Sequence, residues 1–282
     1  MTTPSPFLPL VELTRGNTVE SVHFGALAVA DSQGNLIASY GDPNTVTFLR
    51  STAKPFQLLP FIEAGGAEHF QFTQQEIALM CASHSGTDQH VEVVSHIQQR
   101  VGITESSLMC GVHQPMHKQT AEEMLLRGET PTPNRHNCSG KHTGMLAFAK
   151  MRGEPLESYL EPNHPVQIRI LNTFAEMCGL PAEEVQMGTD GCSAPNFAVP
   201  LYNAAWAWAR LADPSSLSPG RAKAIHTIVQ AMMAHPEMVG GPGRFDTLLM
   251  QTLNGRVVSK GGAEGYEGMG VLPGAIGPGS GA

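Results

Sequence analysis

Ser51 and Lys54 stand three apart in FLRSTAKPFQLLP, residues 48–60, where an extended run gives way to a helix-like one. At the first turn of a helix, two such side chains lie on nearly the same face, and the amine reaches the hydroxyl. A neutral amine there can take the hydroxyl proton and turn the serine into a nucleophile. That requires the lysine pKa to fall by several units, through burial or a neighbouring cation, for which Arg50 and Lys141 are the candidates. The helix N-terminus also favours negative charge developing on the serine oxygen. Alone the S-x-x-K spacing is weak, because a capping serine followed by an exposed lysine gives the same pattern.

Three further clusters could do chemistry. In CASHSGTDQH, residues 81–90, hydroxyl residues interrupt an apolar run, and Ser83 or Ser85 could face a pocket; a helix end stabilised by hydroxyls reads equally well. NRHNCSGKHTG, residues 134–144, places Arg135, His136, Cys138, Lys141 and His142 in one turn-rich segment, and GTDGCSAP adds Asp190 and Cys192. Cys138 and His142 are four apart, which suits two metal ligands on one helical face, so spacing alone nominates Cys138, His142 and Cys192 around zinc. Buried thiols and satisfied histidines are the plain alternative. In VVSKGGAEG, residues 257–265, a strand carrying Lys260 meets two glycines, which would let a substrate approach the strand edge, unless this is an ordinary turn after an exposed lysine.

The elements that must position these residues are legible in outline. Residues 9–50 read as antiparallel strands around the Asp31–Asn35 turn. Thr73-Gln-Gln-Glu76 is a capping box, and HVEVVSHIQQRVG puts Val94, Ile97 and Val101 on one face with Gly102 as its stop. Helices follow over AEEMLLRG, HTGMLAFAKMRG and HPVQIRILNTFAEMCG, the last with Asn163 as N-cap, then a short strand in EVQMGTDG, helices over 198–211, 219–234 and FDTLLMQTL, and a return to strand in GRVVSKGG. Strands, helices, then strand predicts an α+β unit: one antiparallel sheet built from about 1–55 and 250–282, with a helical lobe over about 56–249.

The chain of 282 residues can bury a core with room for a small-molecule pocket, and its formal net charge of −8 leaves no basic footprint for nucleic acid or anionic lipid. Neither a signal sequence nor a run of about 20 apolar residues is visible, so a cytoplasmic location is expected. Five scattered cysteines argue against a disulfide framework.

Taken in order, FLRSTAKPFQ, CASHSG, NCSGKHTGML, GTDGCSAP and SKGGAEG resemble the L-asparaginase II family, the zinc-containing class typified by the inducible rhizobial enzyme. The resemblance runs to about Gly270. It implies a β-lactamase-like fold, shared with penicillin-binding proteins and serine glutaminases, a homodimer, and L-asparagine amidohydrolase activity. It also implies two Ser-Lys pairs, Ser51 with Lys54 and Ser83 with Lys260, substrate contacts at Arg50, Asp190 and His142, and zinc on Cys138, Lys141 and Cys192. Asp190 would hold the substrate's α-amino group. Lysine is a rare ligand because its amine must first lose a proton, so Lys141 from the resemblance and His142 from spacing both stand as the third ligand. The glycine-rich tail ending at Ala282 predicts that the family's last strand and helix are absent. Two rivals remain: another serine hydrolase of the same fold (glutaminase, β-lactamase or esterase), and an inactive zinc-stabilised binding protein.

Overall fold

The structure, a computed structural model, describes residues 5–277. It opens on an antiparallel hairpin, β1 (Leu8–Arg15) and β2 (Thr18–Gly25), closed by Gly16 in the left-handed region. A second hairpin follows, β3 (Leu27–Ala30) and β4 (Leu36–Tyr40), whose turn is tied by the Asp31 carboxylate accepting from the Gln33 and Asn35 backbone N–H groups. Strand β5 (Val46–Phe48) leads into a 3-10 turn, Arg50–Ala53, and then α1 (Lys54–Glu63).

Helices α2 (Gly66–Phe70), α3 (Gln74–Met80), α4 (Asp88–Val101), α5 (Lys118–Leu126), α6 (Ser139–Arg152) and α7 (Pro165–Cys178) come next. Strands β6 (Gln186–Thr189) and β7 (Pro195–Pro200) interrupt the series. Then come α8 (Leu201–Ala212), α9 (Pro219–Ala234), α10 (Pro236–Val239) and α11 (Phe245–Leu253), and the hairpin β8 (Val257–Gly261) and β9 (Glu267–Val271) closes the described chain. Among the described residues, no helix is long and apolar enough to cross a membrane.

The α+β mixture is as expected, but the single sheet is not. The strands form four small antiparallel sheets, and the three-stranded one, ordered β5-β7-β6, takes two of its strands from residues 186–200, inside the expected helical lobe. The hairpins β3-β4 and β8-β9 both lie on α8 without hydrogen bonding to each other. Indoles on α8 set these approaches. Trp206 fills the space beside Gly34, and Trp208 leaves no room for a side chain at Gly268. The helix expected from residue 198 begins only at Leu201, since Phe197–Val199 pair with β5 and β6 and Pro200 turns the chain. His164, not Asn163, caps α7, its ring accepting from the Val166 N–H. The tail beyond Gly277, on which the expected missing strand and helix would bear, lies outside the described residues.

Helix α1 is the hub. Every residue from Lys54 to Ile62 is buried, so its apolar surface runs all round and it packs against α6, α7 and α9 at once. Phe56 meets Phe174 and Trp208 edge-on, and Phe174 stacks on Phe197. Each such fully buried aromatic contributes about 1.5–3 kcal/mol relative to exposure. The caps expected for α3 and α4 hold: Thr73 and Glu76 form the capping box of α3, and Gly102 ends α4 in the left-handed conformation with Val94, Ile97 and Val101 buried.

Candidate active site

The turn that delivers Ser51 is strained. Arg50 has φ of +52°, a left-handed conformation that costs a non-glycine residue on the order of 1–3 kcal/mol. Asn196 on β7 secures it. Its Oδ1 accepts from the Arg50 N–H at 3.1 Å and from the Phe197 N–H at 2.9 Å. Ser51 therefore sits at the head of the 3-10 turn that runs into α1, and its hydroxyl has no hydrogen-bond partner among the described residues. Gly262 packs against the same turn; a side chain there would meet the Leu49 carbonyl oxygen at 2.9 Å.

Lys54 lies one turn further on, but its wholly buried amine donates to Ser83 Oγ at 3.0 Å and to the Ala82 carbonyl, not to Ser51. Ser83 follows α3 in an extended segment stitched down on both sides. The Ser83 N–H donates to the Val239 carbonyl, the His84 N–H to that of Asn137, and His84 Nε2 meets Ser139 Oγ at 2.8 Å. Ser85 is structural, its hydroxyl donating to the Gly240 carbonyl at 2.7 Å.

Lys260 on β8 is also wholly buried. It donates to its own strand at the Gly261 carbonyl, 2.6 Å away, and to Asp246 Oδ2 on α11, 3.3 Å away, rather than to Ser83. Burial lowers its pKa to about 8, with Asp246 opposing and Lys54 adding to the fall. The two amines thus share one field. Burial pushes the nearby Cys81 thiol up to about 12, and both lysines pull it down.

The second focus joins α6 to the turn between β6 and β7. Cys138, Lys141 and Cys192 are all buried, and Lys141 Nζ stands 3.0 Å from Cys192 Sγ. The hydrogen bond with Cys192 holds the Cys138 thiol well below its usual range, against burial and with help from Lys54 and Lys141. Burial alone would lower Lys141, but the two sulfurs outweigh it and raise the amine. His142, on the same helix, directs Nδ1 to the Tyr159 hydroxyl at 2.6 Å and leaves its buried Nε2 without a hydrogen-bond partner. Burial keeps that ring neutral, with a pKa near 4, against the opposing pull of Cys192.

Two thiols, an amine and an orphaned imidazole nitrogen are the donor chemistry that zinc takes. Among the described residues, no cluster of three or more His, Cys, Asp and Glu side chains could hold a metal ion, so the trio of Cys138, His142 and Cys192 that spacing nominates is not assembled. Asp190 closes the turn: Arg50 Nε donates to its Oδ1 at 2.8 Å, and Lys141 and Arg50 overcome its burial to hold its pKa below the usual carboxylate value. The pair links the Ser51 turn to the thiol cluster.

The fold therefore draws Arg50, Ser51, Lys54, Ser83, Asp190 and Lys260 and the Cys138–Cys192 cluster into one connected region. Sequence reasoning missed Asp246, Asn196 and Tyr159. Only the acidic residue opening FDTLLMQTL carried any signal, and it reads as a helix-start preference. A family model described as L-asparaginase II matches residues 11–279 of the chain. No curated protein matches it.

Proposed function

Because the chain belongs to the L-asparaginase II family, we propose that it hydrolyses the side-chain amide of L-asparagine to aspartate and ammonia, with Ser51 as nucleophile. One observation carries this reading. A serine hydroxyl without a partner heads a strained turn, one helical turn from a buried amine that holds a second serine and shares its field with a second buried amine.

Ser51 Oγ attacks the amide carbon while its proton passes to the Lys54 amine. Ser83, hydrogen-bonded to Lys54, returns a proton to the departing nitrogen. The C–N bond breaks and ammonia leaves an ester on Ser51. Water then hydrolyses that ester, and its proton goes back through the same pair. Backbone N–H groups at the turn would stabilise the oxyanion, a contribution of about 3–4 kcal/mol in comparable sites. Lys260 serves as a second proton carrier beside Lys54, its pKa brought to about 8 by burial, with Lys54 adding to the fall. Arg50, Asp190 and His142 surround the substrate, with Asp190 on its α-ammonium group.

Zinc would rest on Cys138, Lys141 and Cys192, and when bound would supply positive charge that orients substrate and shapes the pocket. A β-lactamase-like fold and a homodimer belong to the same reading, and what supports them is the resemblance of the five motifs. The test is ammonia release from L-asparagine, with L-glutamine and nitrocefin alongside and zinc content measured on the same sample. Ser51→Ala should abolish turnover and retain zinc; a fully active Ser51→Ala protein refutes the assignment.

A further inference from the structure

Lys260 has one side-chain partner, and it lies outside the five motifs. Asp246 opens α11, is 4 % exposed, and divides its carboxylate between two neighbours on β8: Oδ2 faces Lys260 Nζ at 3.3 Å, and Oδ1 accepts the Gly261 N–H at 2.9 Å. It therefore grips the strand and the amine together. Gly261 permits this. A side chain there would meet Asp246 Oδ1 at 3.0 Å and Glu267 Oε2 at 3.1 Å, so the two carboxylates approach one point and a methyl group would push them back. Thr247, the next residue, fixes the start of α11 by donating to the Pro236 carbonyl and accepting the Gly241 N–H.

We propose that Asp246 is the positioning residue of the buried lysine pair, its carboxylate holding the Lys260 amine and the β8 backbone in fixed register. This rests on the amidohydrolase reading for its effect on rate, but not for its effect on the amine. The Lys260 amine spends two donors on Asp246 and the Gly261 carbonyl, and its remaining valence is free for proton exchange. Four groups act on it: Asp246 from α11, Lys54 from α1, Glu267 from β9 and Cys81 at the end of α3. Asp246 and Glu267 favour the ammonium, and Lys54 disfavours it. Glu267 is the weaker counter-charge near neutrality. Burial lifts its carboxyl to about 7, against the hydrogen bond donated by Ser259 at 2.7 Å, while Asp246 repels a second negative charge. Asp246 is thus the carboxylate on which the Lys260 proton depends.

The experiment is a pH titration of the Lys260 amine by NMR of 15N-lysine-labelled protein, assigned by its loss in Lys260→Met, together with kcat and KM for L-asparagine against pH. Both are run on the wild type and on Asp246→Asn. Removing the carboxylate should move the Lys260 titration down by at least one pH unit. The rising limb of kcat should shift with it, and the plateau kcat should fall tenfold or more while KM changes less than threefold. Asp246→Glu should restore the titration and part of the plateau. A Lys260 titration unmoved in Asp246→Asn overturns the proposal. If the wild type releases no ammonia, the functional reading fails, and the amine titration still decides this one. If neither variant folds, a wild-type amine titrating well below 8 shows that the carboxylate does not hold it.

Discussion

Gly140→Ala probes the joint between fold and site. Gly140 lies in the first turn of α6, buried against the end of α3. A methyl group there would stand well inside contact distance of the Leu79 carbonyl oxygen, 2.9 Å from the carbonyl carbon and 3.2 Å from Leu79 Cγ. Carbon atoms settle at about 3.5–4.0 Å, so the helices must separate by roughly 1 Å. The obstacle is backbone, which cannot rotate away. Overpacking of this kind costs about 1–3 kcal/mol, and a rigid neighbour puts it near the top of that range. Against it stands the gain from replacing glycine in a helix, about 0.5–1 kcal/mol. The net loss is about 2 kcal/mol, or a Tm lower by roughly 3–4 °C at this chain length.

The same shift carries Lys141 away from Cys192, now 3.0 Å apart on separate elements, and a misplacement of about 1 Å can cost on the order of a hundredfold in rate. Gly220→Ala is the control. It sits in the first turn of α9 with nothing within 4 Å of the new methyl group, so it should raise Tm slightly and leave turnover alone. Thermal unfolding and ammonia release on both variants make the test. A Gly140→Ala protein as stable as Gly220→Ala would show that the close approach of α6 to α3 is not what that glycine serves.

Other outcomes follow from the same geometry. His90 and His142 are buried with pKa values near 4, chiefly through burial, against an ordinary 6.5. The unfolded chain therefore binds more protons between those values, so the stability they contribute is whole above pH 6.5 and is lost as pH falls towards 4. Each histidine accounts for up to about 3 kcal/mol. Urea midpoints should drop steeply from pH 6.5 to 4.5, and a flat profile contradicts the buried neutral rings. Asp190→Asn keeps the shape of the carboxylate facing Arg50 but removes its charge, and should raise KM for L-asparagine about 10- to 100-fold with a smaller change in kcat. An unchanged KM removes Asp190 from the substrate's ammonium group.

Local chemistry made much of this protein legible from its sequence. Thr73 and Glu76 cap α3 because the partners are three residues apart, and Gly102 and Gly179 end α4 and α7 because a left-handed residue suits glycine. The Ser51-x-x-Lys54 spacing announced a serine and an amine one turn apart, and the order of the motifs pointed to the family that the chain belongs to. The sequence did not show which hydroxyl each amine faces. Lys54 turns to Ser83 because the extended segment after α3 passes its amine, and Lys260 turns to Asp246 because α11 packs on β8. Asn196, which holds Arg50 in its strained conformation, is 146 residues away in the chain. The division of the described strands into four small sheets likewise rests on pairings between distant segments, such as β5 with β7. Spacing within a helix or turn is fixed by backbone geometry and can be read from a string of residues. Contacts between elements are decided by packing, which exists only once the chain has folded.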